Sequence, residues 1–460
     1  MNEESEINYI GTVEIDNVSK SFGLLKEDRR RHVYILGKSG MGKSTLLENM
    51  ILQDIYAGNG VAFMDPLGDS AESIIDQIPG YRLQDVVYFN PIDTDFPIGL
   101  NFFEGKGEPD FLICASLMTI FKRIWEGSWS SRMEYILTNT ILALLEVPGT
   151  TLLCVMKMLT EKPYRDYIIS KCENMLVKSF WLNEFPRFSQ QYQTEAIAPI
   201  TNKIGQFFST SLVRNILGQQ RSTINVREIM DSKKILIINL SKGKIGEENA
   251  NLLGAMFVSK FQLAAMGRID MPESERNDFY LYVDEFQNFT TESFTTILSE
   301  ARKYRLCLTL AHQYISQLDR PDDEHIKKAI FGNIGSTICF RLGAEDSEIM
   351  EKEIFPTKED MKGLFLNLDK YQIITKLTVS NRPLDPFAGI TLPPIYEKLK
   401  GNKQAMIDWS RKYWTRNRQE IEMEIEAYYL KGEISDPSSG ELVIAKKKRK
   451  RKRKNKIEAI

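Results

Sequence analysis

The 460-residue sequence lacks a membrane span, a disulfide framework and a zinc site. No apolar run approaches the roughly 18 residues that a membrane helix needs. The acidic opening Met1-Asn2-Glu3-Glu4 has neither the positive start nor the apolar core of a signal peptide. Histidines number three, and the five cysteines (Cys114, Cys154, Cys172, Cys307 and Cys339) lie scattered. None falls in a CxxC pair, so the ligand spacing of a Cys/His zinc module is missing and the thiols are expected to be buried and reduced. These absences predict a cytoplasmic chain with no transmembrane segment of its own.

Charge of one sign is also scarce overall, the net being −2. That figure conceals a split. Lys446 to Lys456 hold ten Lys/Arg and no acid, which leaves 50 basic against 62 acidic residues, or −12, in the remainder. A positive tail attracts polyanions without reading sequence, so it is read either as a plain solvated end or as a segment drawn to DNA or acidic lipid. The tail is of low complexity and is expected to be disordered.

What is present is an ordinary soluble composition, 42% apolar and 27% charged, with alternating strand and helix patterns. His32-Val33-Tyr34-Ile35-Leu36 reads as a buried strand that runs into a Gly-rich loop. A helix from Ser44 to Tyr56 follows, with Leu46, Leu47, Met50 and Ile51 on one face. Val61–Met64 and Val86–Phe89 read as further strands. This spacing predicts a parallel α/β sheet. From Pro109 to Val226 helical spacing dominates, as in Met133, Ile136, Leu137, Ile141, Leu144 and Leu145, which predicts an inserted all-helical domain. The α/β pattern then returns, with strands over Lys234–Leu240, Phe279–Val283, Leu306–Leu310, Thr337–Phe340 and Gln372–Leu377. A polar helix over Lys403–Lys431 and a linker Gly432–Gly440 precede the tail.

Gly37-Lys38-Ser39-Gly40-Met41-Gly42-Lys43-Ser44 fits GxxxxGK[ST] between a strand and a helix, the context of a Walker A motif. Gly37, Lys38, Ser39, Gly40, Met41 and Gly42, with Lys43, Ser44 and Thr45, are expected to wrap the phosphates of ATP. Backbone N–H groups turn inward there, at the positive end of a helix. Lys43 is expected to reach the β- and γ-phosphates, and Ser44 to ligate Mg²⁺. The apolar strand Phe279–Val283 ends in Asp284-Glu285, a Walker B pattern. Asp284 is expected to hold Mg²⁺, and Glu285 to polarise the attacking water as general base. The cassette-like opening Asn17-Val18-Ser19-Lys20-Ser21-Phe22-Gly23 is a decoy, since no Leu-Ser-Gly-Gly-Gln precedes the Walker B and 241 positions separate Lys43 from Asp284.

Downstream, Ser299–Arg305 leads into the strand Leu306–Leu310 and then Ala311-His312-Gln313. A polar residue ending the strand beside Walker B suits a γ-phosphate sensor, with Gln313 favoured over His312. The basic cluster around Arg302 suits either a helix end or a subunit edge, where an arginine serves the neighbour's site. The loop Ser241-Lys242-Gly243-Lys244-Ile245-Gly246 is read either as a plain turn or as a loop touching phosphates in a ring pore.

The run Asp28–Leu47, with Val283-Asp284-Glu285-Phe286-Gln287-Asn288-Phe289, Leu298–Gln313 and Phe331–Gly335 leading to Phe340-Arg341, resembles the TraG/TraD-type conjugative coupling proteins within the HerA/FtsK group of motors. The resemblance spans about residues 28–395. It implies a RecA-like P-loop fold, hexameric rings around DNA, and ATP sites at subunit interfaces. It further implies a trans arginine at Arg302, with Arg305 and Arg341 as rivals, and a sensor glutamine at Gln313. Where the family often reads Asp-Pro-His-Gly-Asp, this chain has Leu67, so no role is assigned there. Typical relatives carry an N-terminal membrane anchor. Its absence here leads to the expectation of recruitment by a membrane-embedded or relaxosome-like partner, or else of a cytosolic motor.

The expected division is an N-terminal segment (1–30), two parts of the P-loop core (31–108 and 227–398), the helical insertion (109–226), a C-terminal helix (399–431), and linker with tail (432–460). The expected function is an ATP-hydrolysing DNA translocase for conjugative or type IV secretion-like transfer. The alternatives are a soluble motor in repair, packaging or phage defence, and a P-loop ATPase moving protein substrates.

Overall fold

The computed structural model describes residues 7–105, 107–318, 324–356, 362–395, 401–430, 433–435 and 442–444. The basic run Lys446–Lys456 lies outside them.

Seven short apolar strands build the centre of the sheet: β3 (Val33–Leu36), β4 (Gly60–Asp65), β5 (Val86–Phe89), β6 (Ile235–Asn239), β7 (Phe279–Val283), β8 (Leu306–His312) and β9 (Ser336–Cys339). They pair in parallel in the order β9-β3-β8-β7-β4-β6-β5. Strands buried on both faces carry near-continuous Val, Ile and Leu, as β6 does with Ile-Leu-Ile-Ile-Asn. Alternate residues serve opposite cores. Tyr34 and Leu36 point to one, Val33 and Ile35 to the other.

The sheet then continues antiparallel beyond β9, through β10 (Gln372–Lys376), β13 (Phe387–Thr391), β1 (Ile7–Ile15) and β2 (Val18–Leu25), to eleven strands among the described residues. A two-residue pair, β11 (Thr378–Val379) with β12 (Arg382–Pro383), links β10 to β13. Residues 7–25 therefore join the main sheet as a hairpin. The basic run that follows stitches this edge to the centre. Asp28 accepts N–H bonds from Ser380 and Asn381, and Arg31 Nε donates to Asn381 Oδ1. Arg30 pairs with Asp278. Arg29 is 3% exposed, bidentate to Asp54 at 2.7 Å on both nitrogens, and stacked 3.7 Å from the Tyr280 ring centroid. Removing one member of such a buried pair costs about 3–5 kcal/mol, because the other charge is stranded.

Helix α1 (Lys43–Tyr56) and α2 (Asp69–Gln77) cover one face. On the other face, α3 (Asp110–Ile124) and the helix Glu247–Gly267 carry the core into the helical region, which includes Ser131–Leu145 and Gln190–Ser209. Their buried side chains are continuous with Tyr34, Met64 and Leu236 of the sheet.

The stretch expected as one helix over Lys403–Lys431 is two, Lys403–Trp414 and Arg418–Leu430. Thr415 turns extended, and Arg416 and Arg418 N–H groups donate to Pro97 and Asp95 carbonyls instead of continuing the ladder. The first helix grips the sheet edge, Ser410 Oγ accepting the Tyr88 N–H and Arg411 pairing with Asp93. The second grips the helical region, where Tyr428 Oη meets Cys154 Sγ at 2.7 Å and Tyr164 Oη at 2.9 Å. In the stretch expected as linker and tail (432–460), β14 (Glu433–Ser435) pairs with β15 (Leu442–Ile444). Among the described residues no helix is long and apolar enough to cross a membrane.

Candidate active site

Parallel strands end on one edge, and the crevice outside those carboxyl ends is where open α/β sheets place their ligands. Here β3, β8, β7, β4 and β9 deliver, in turn, the Gly-rich loop, Gln313, Asp284, Asp65 and Arg341 to that edge.

The loop is held from both sides. Gly37 N–H donates to the His312 carbonyl (3.4 Å) and Lys38 N–H to the Arg341 carbonyl (2.9 Å). Gly40 (φ 77°) and Gly42 (φ 115°) take left-handed backbone, which turns amides inward at low steric cost. Helix α1 starts at Lys43 with no side-chain cap, so its first amides face the loop. Lys43 is 7% exposed, its Nζ donating to the carbonyls of Gly37 (2.6 Å) and Lys38 (3.3 Å). Burial pushes this ammonium's pKa down, against the pull of Glu285 and Asp284. Ser44 is exposed at the mouth of the same turn.

Asp284 is 5% exposed, and its pKa is pushed up to about 7, first by burial and then by repulsion from Glu285 and Asp65, with Lys43 opposing. Its Oδ1 accepts the Glu285 N–H at 3.0 Å. Glu285 sits in left-handed backbone (φ 43°), rare for a residue with a Cβ, and such strain persists where the surroundings hold it. Two amides clasp its carboxylate. Gln313 Nε2 donates to Oε1 and Gln287 Nε2 to Oε2, both at 2.8 Å. Gln287 is fixed in turn from the helical region, since Arg123 of α3 donates to the Gln287 carbonyl (2.6 Å) and to Thr290 Oγ1 (2.7 Å).

His312, the weaker sensor candidate, points away from the edge. It is fully buried between Tyr34 and Phe286, with Nε2 against Tyr34 Oη, and burial pushes its pKa down to about 3.

Arg302 stands elsewhere, exposed in the turn Ala301–Tyr304 that leads into β8. Seven residues of β8 separate that end from Gln313, on the order of 20 Å at strand rise. Arg302 and Glu285 are not brought together within one chain. Arg305 is engaged with Asp278 (3.6 Å) and Glu273 (3.7 Å), and Arg341 stands beside its own Gly-rich loop.

The loop after β6 is tied to the turn after β4. Leu240 N–H donates to the Asp65 carbonyl and Lys242 N–H to that of Pro66. A Cβ on Gly68 (φ 97°) would fall 2.0 Å from Ser241 Oγ, so only glycine permits this contact. Lys242 and Lys244 lie in a single helical turn, Lys242–Ile245, with Lys244 exposed. Asp65 accepts N–H bonds from Leu67 and Ala71, while Leu67 is exposed.

Sequence reasoning missed Gln287, Arg123 and Asp65. Gln287 was signalled by its place two residues past Glu285. Arg123 gave no signal, because its partners lie more than 160 positions away.

A family model described as the type IV secretion-system coupling protein DNA-binding domain matches residues 20–355. No curated protein matches by sequence comparison. Among solved structures, the unbound bacterial conjugative coupling protein TrwBdeltaN70 is 16% identical with a TM-score of 0.57, over 86% of this chain and 90% of that one. Plasmid coupling protein TrwB in complex with ADP and Mg²⁺ is 17% identical with a TM-score of 0.57, over 86% and 92%. VirB4 of Thermoanaerobacter pseudethanolicus is 15% identical with a TM-score of 0.55, over 80% and 91%. These likenesses show the fold, a P-loop α/β sheet with a helical region upon it.

Proposed function

The chain belongs to the type IV secretion-system coupling protein family, and from that premise we propose that it hydrolyses ATP to move DNA, as the ring-forming motor of a conjugative or type IV secretion-like transfer system. One observation carries the reading. Lys43, Asp284, Glu285 and Gln313 converge on one sheet edge, with Glu285 held in an aimed, strained position.

In this reading the turned-in amides of Gly37 to Thr45 and the Lys43 ammonium hold the triphosphate of ATP. Glu285 takes the proton of the attacking water. The clasp of Gln287 and Gln313 fixes which oxygen faces it, and Gln313 also reports the γ-phosphate. Ser44 and Asp284 are the residues that would hold Mg²⁺. Among the described residues no cluster of three or more His, Cys, Asp or Glu forms a metal cage. That suits Mg²⁺, which takes one or two protein ligands and binds mainly through phosphates and water. When bound, it neutralises charge on the β- and γ-oxygens.

Arg302, exposed at the far end of β8, is proposed to serve the ATP of a neighbouring subunit in a homo-hexamer. The Lys242–Ile245 turn is proposed to face DNA, its position tied to Asp65 beside Asp284. A membrane-embedded or relaxosome-like partner is proposed to recruit the ring to the inner face of the membrane. The domain division expected from sequence is kept as a proposal, with the 7–25 hairpin counted in the core. The test is nucleotide binding and turnover of Lys43→Ala and Glu285→Gln. The first is expected to lose ATP affinity. The second is expected to keep affinity and lose turnover, and a Glu285→Gln protein as active as the parent would contradict the assignment.

A further inference from the structure

We propose that Tyr371 is the aromatic platform on which the base of the bound nucleotide stacks, an inference that rests on the ATP reading above. Strand β3 lies between β8 and β9. The catalytic carboxylate and its glutamines stand on the β8–β7 side, so a nucleotide with its γ-phosphate toward Glu285 extends sugar and base toward β9 and β10. Tyr371 stands there, immediately before β10.

Its backbone is left-handed at φ 69°, a costly conformation for an aromatic residue, and it is clamped in place. Its N–H donates to the Met41 carbonyl inside the Gly-rich loop (3.0 Å), and its carbonyl accepts from Thr391 N–H (2.9 Å) on β13. The ring edge lies against Gly42, where a Cβ would fall 2.6 Å from Tyr371 Cδ1. Glycine at position 42 therefore serves the ring as well as the turn. The ring remains partly exposed, and the exposed Lys370 ammonium stands 4.8 Å from its centroid.

A residue that merely plugged the core would be buried and would need no strained backbone. A flat, half-open ring locked to the phosphate loop meets the requirement for stacking a purine while leaving the phosphate contacts to others. Stacking is tolerant of base identity but favours the larger ring system.

The experiment is calorimetric binding of MgATP, MgUTP and magnesium tripolyphosphate to the full chain, comparing Tyr371→Leu and Tyr371→Phe with the parent. Tyr371→Leu is expected to bind MgATP on the order of tenfold more weakly, to lose the preference for ATP over UTP, and to keep its tripolyphosphate affinity. Tyr371→Phe is expected to match the parent throughout. Unchanged ATP affinity in Tyr371→Leu would overturn the proposal. So would an equal loss for tripolyphosphate, which would make the ring a prop for the loop. A parent chain that binds tripolyphosphate and MgATP equally well would likewise remove the stack while leaving the phosphate site standing. A parent that binds neither would overturn the nucleotide reading itself, and the platform with it.

Discussion

The Gln313 side-chain amide donates to Glu285 Oε1 at 2.8 Å, joining the end of one strand to the strained residue after its neighbour. If Glu285 is the general base, as proposed, the bond makes Gln313 its positioning group. Gln313→Ala should lower kcat by about tenfold or more and leave ATP affinity nearly unchanged. Glu285→Gln should fall further, on the order of 10² to 10⁴. Steady-state kinetics beside equilibrium ATP binding check both. A Gln313→Ala protein with unchanged kcat and a raised KM would show that the amide binds nucleotide instead.

The length of β8 keeps Arg302 away from Glu285 of its own chain, so the catalytic role proposed for it is one across a subunit boundary. Arg302→Ala should bind ATP normally and hydrolyse it on the order of 10³-fold more slowly. Mixing it with Glu285→Gln protein should return partial activity, because some interfaces then pair an intact Arg302 with an intact Glu285. No recovery, with subunit exchange confirmed separately, would pass the role to Arg305 or Arg341.

The α/β core was legible because its strands are short, apolar and punctuated by Gly-rich or acidic turns. Phe279–Val283 is a strand over those same residues. The N-terminal hairpin was not legible. Its strands mix Lys, Ser, Glu and Gly, and β13, which pairs with it, lies some 380 positions away in Gly11↔Thr391. The break at Thr415–Asn417 was hidden for a similar reason, as the competing carbonyls belong to Asp95 and Pro97. At the site, motif spacing located the loop and the Asp-Glu pair. Which amide touches which oxygen depends on tertiary packing, and Arg123 and Tyr371 emerge only there.

His32 predicts an acid limit to stability. Its Nδ1 accepts the Leu308 N–H, so Nε2 carries the proton and donates to the Leu298 carbonyl. Protonating Nδ1 would set two donors against each other. Burial, the main cause, and the charge of Arg302 push its pKa down to about 4. The unfolded chain takes up this proton near the ordinary value of about 6.5, so the contribution is complete above that pH and fades as pH falls toward 4. His312, pushed down to about 3, acts in the same direction. Asp284, whose raised pKa acts in the opposite direction, is common to parent and variant, so between pH 7 and pH 5 the parent should lose about 2 kcal/mol more in denaturant melts than His312→Gln does. An equal change in parent and variant would contradict the buried, neutral assignment.

The charge run Lys446–Lys456 predicts a salt-dependent share of DNA binding. Each phosphate contact contributes a slope of about 0.9 in log affinity against log salt. A chain ending at Ala445 should bind more weakly and with a shallower slope, while its DNA-independent ATPase stays at the parent rate. Identical slopes for the two proteins would remove DNA from the tail's role.

ATP turnover at the Lys43–Glu285 edge is proposed to drive movement on DNA. The most direct measurement is ATPase rate with and without single- and double-stranded DNA, read beside ATP-dependent displacement of a third strand from a triplex. DNA is expected to raise turnover of the parent chain, and displacement is expected to require hydrolysable ATP and to vanish in Glu285→Gln. ATP hydrolysis indifferent to DNA, with no displacement from assembled rings, would contradict this proposal.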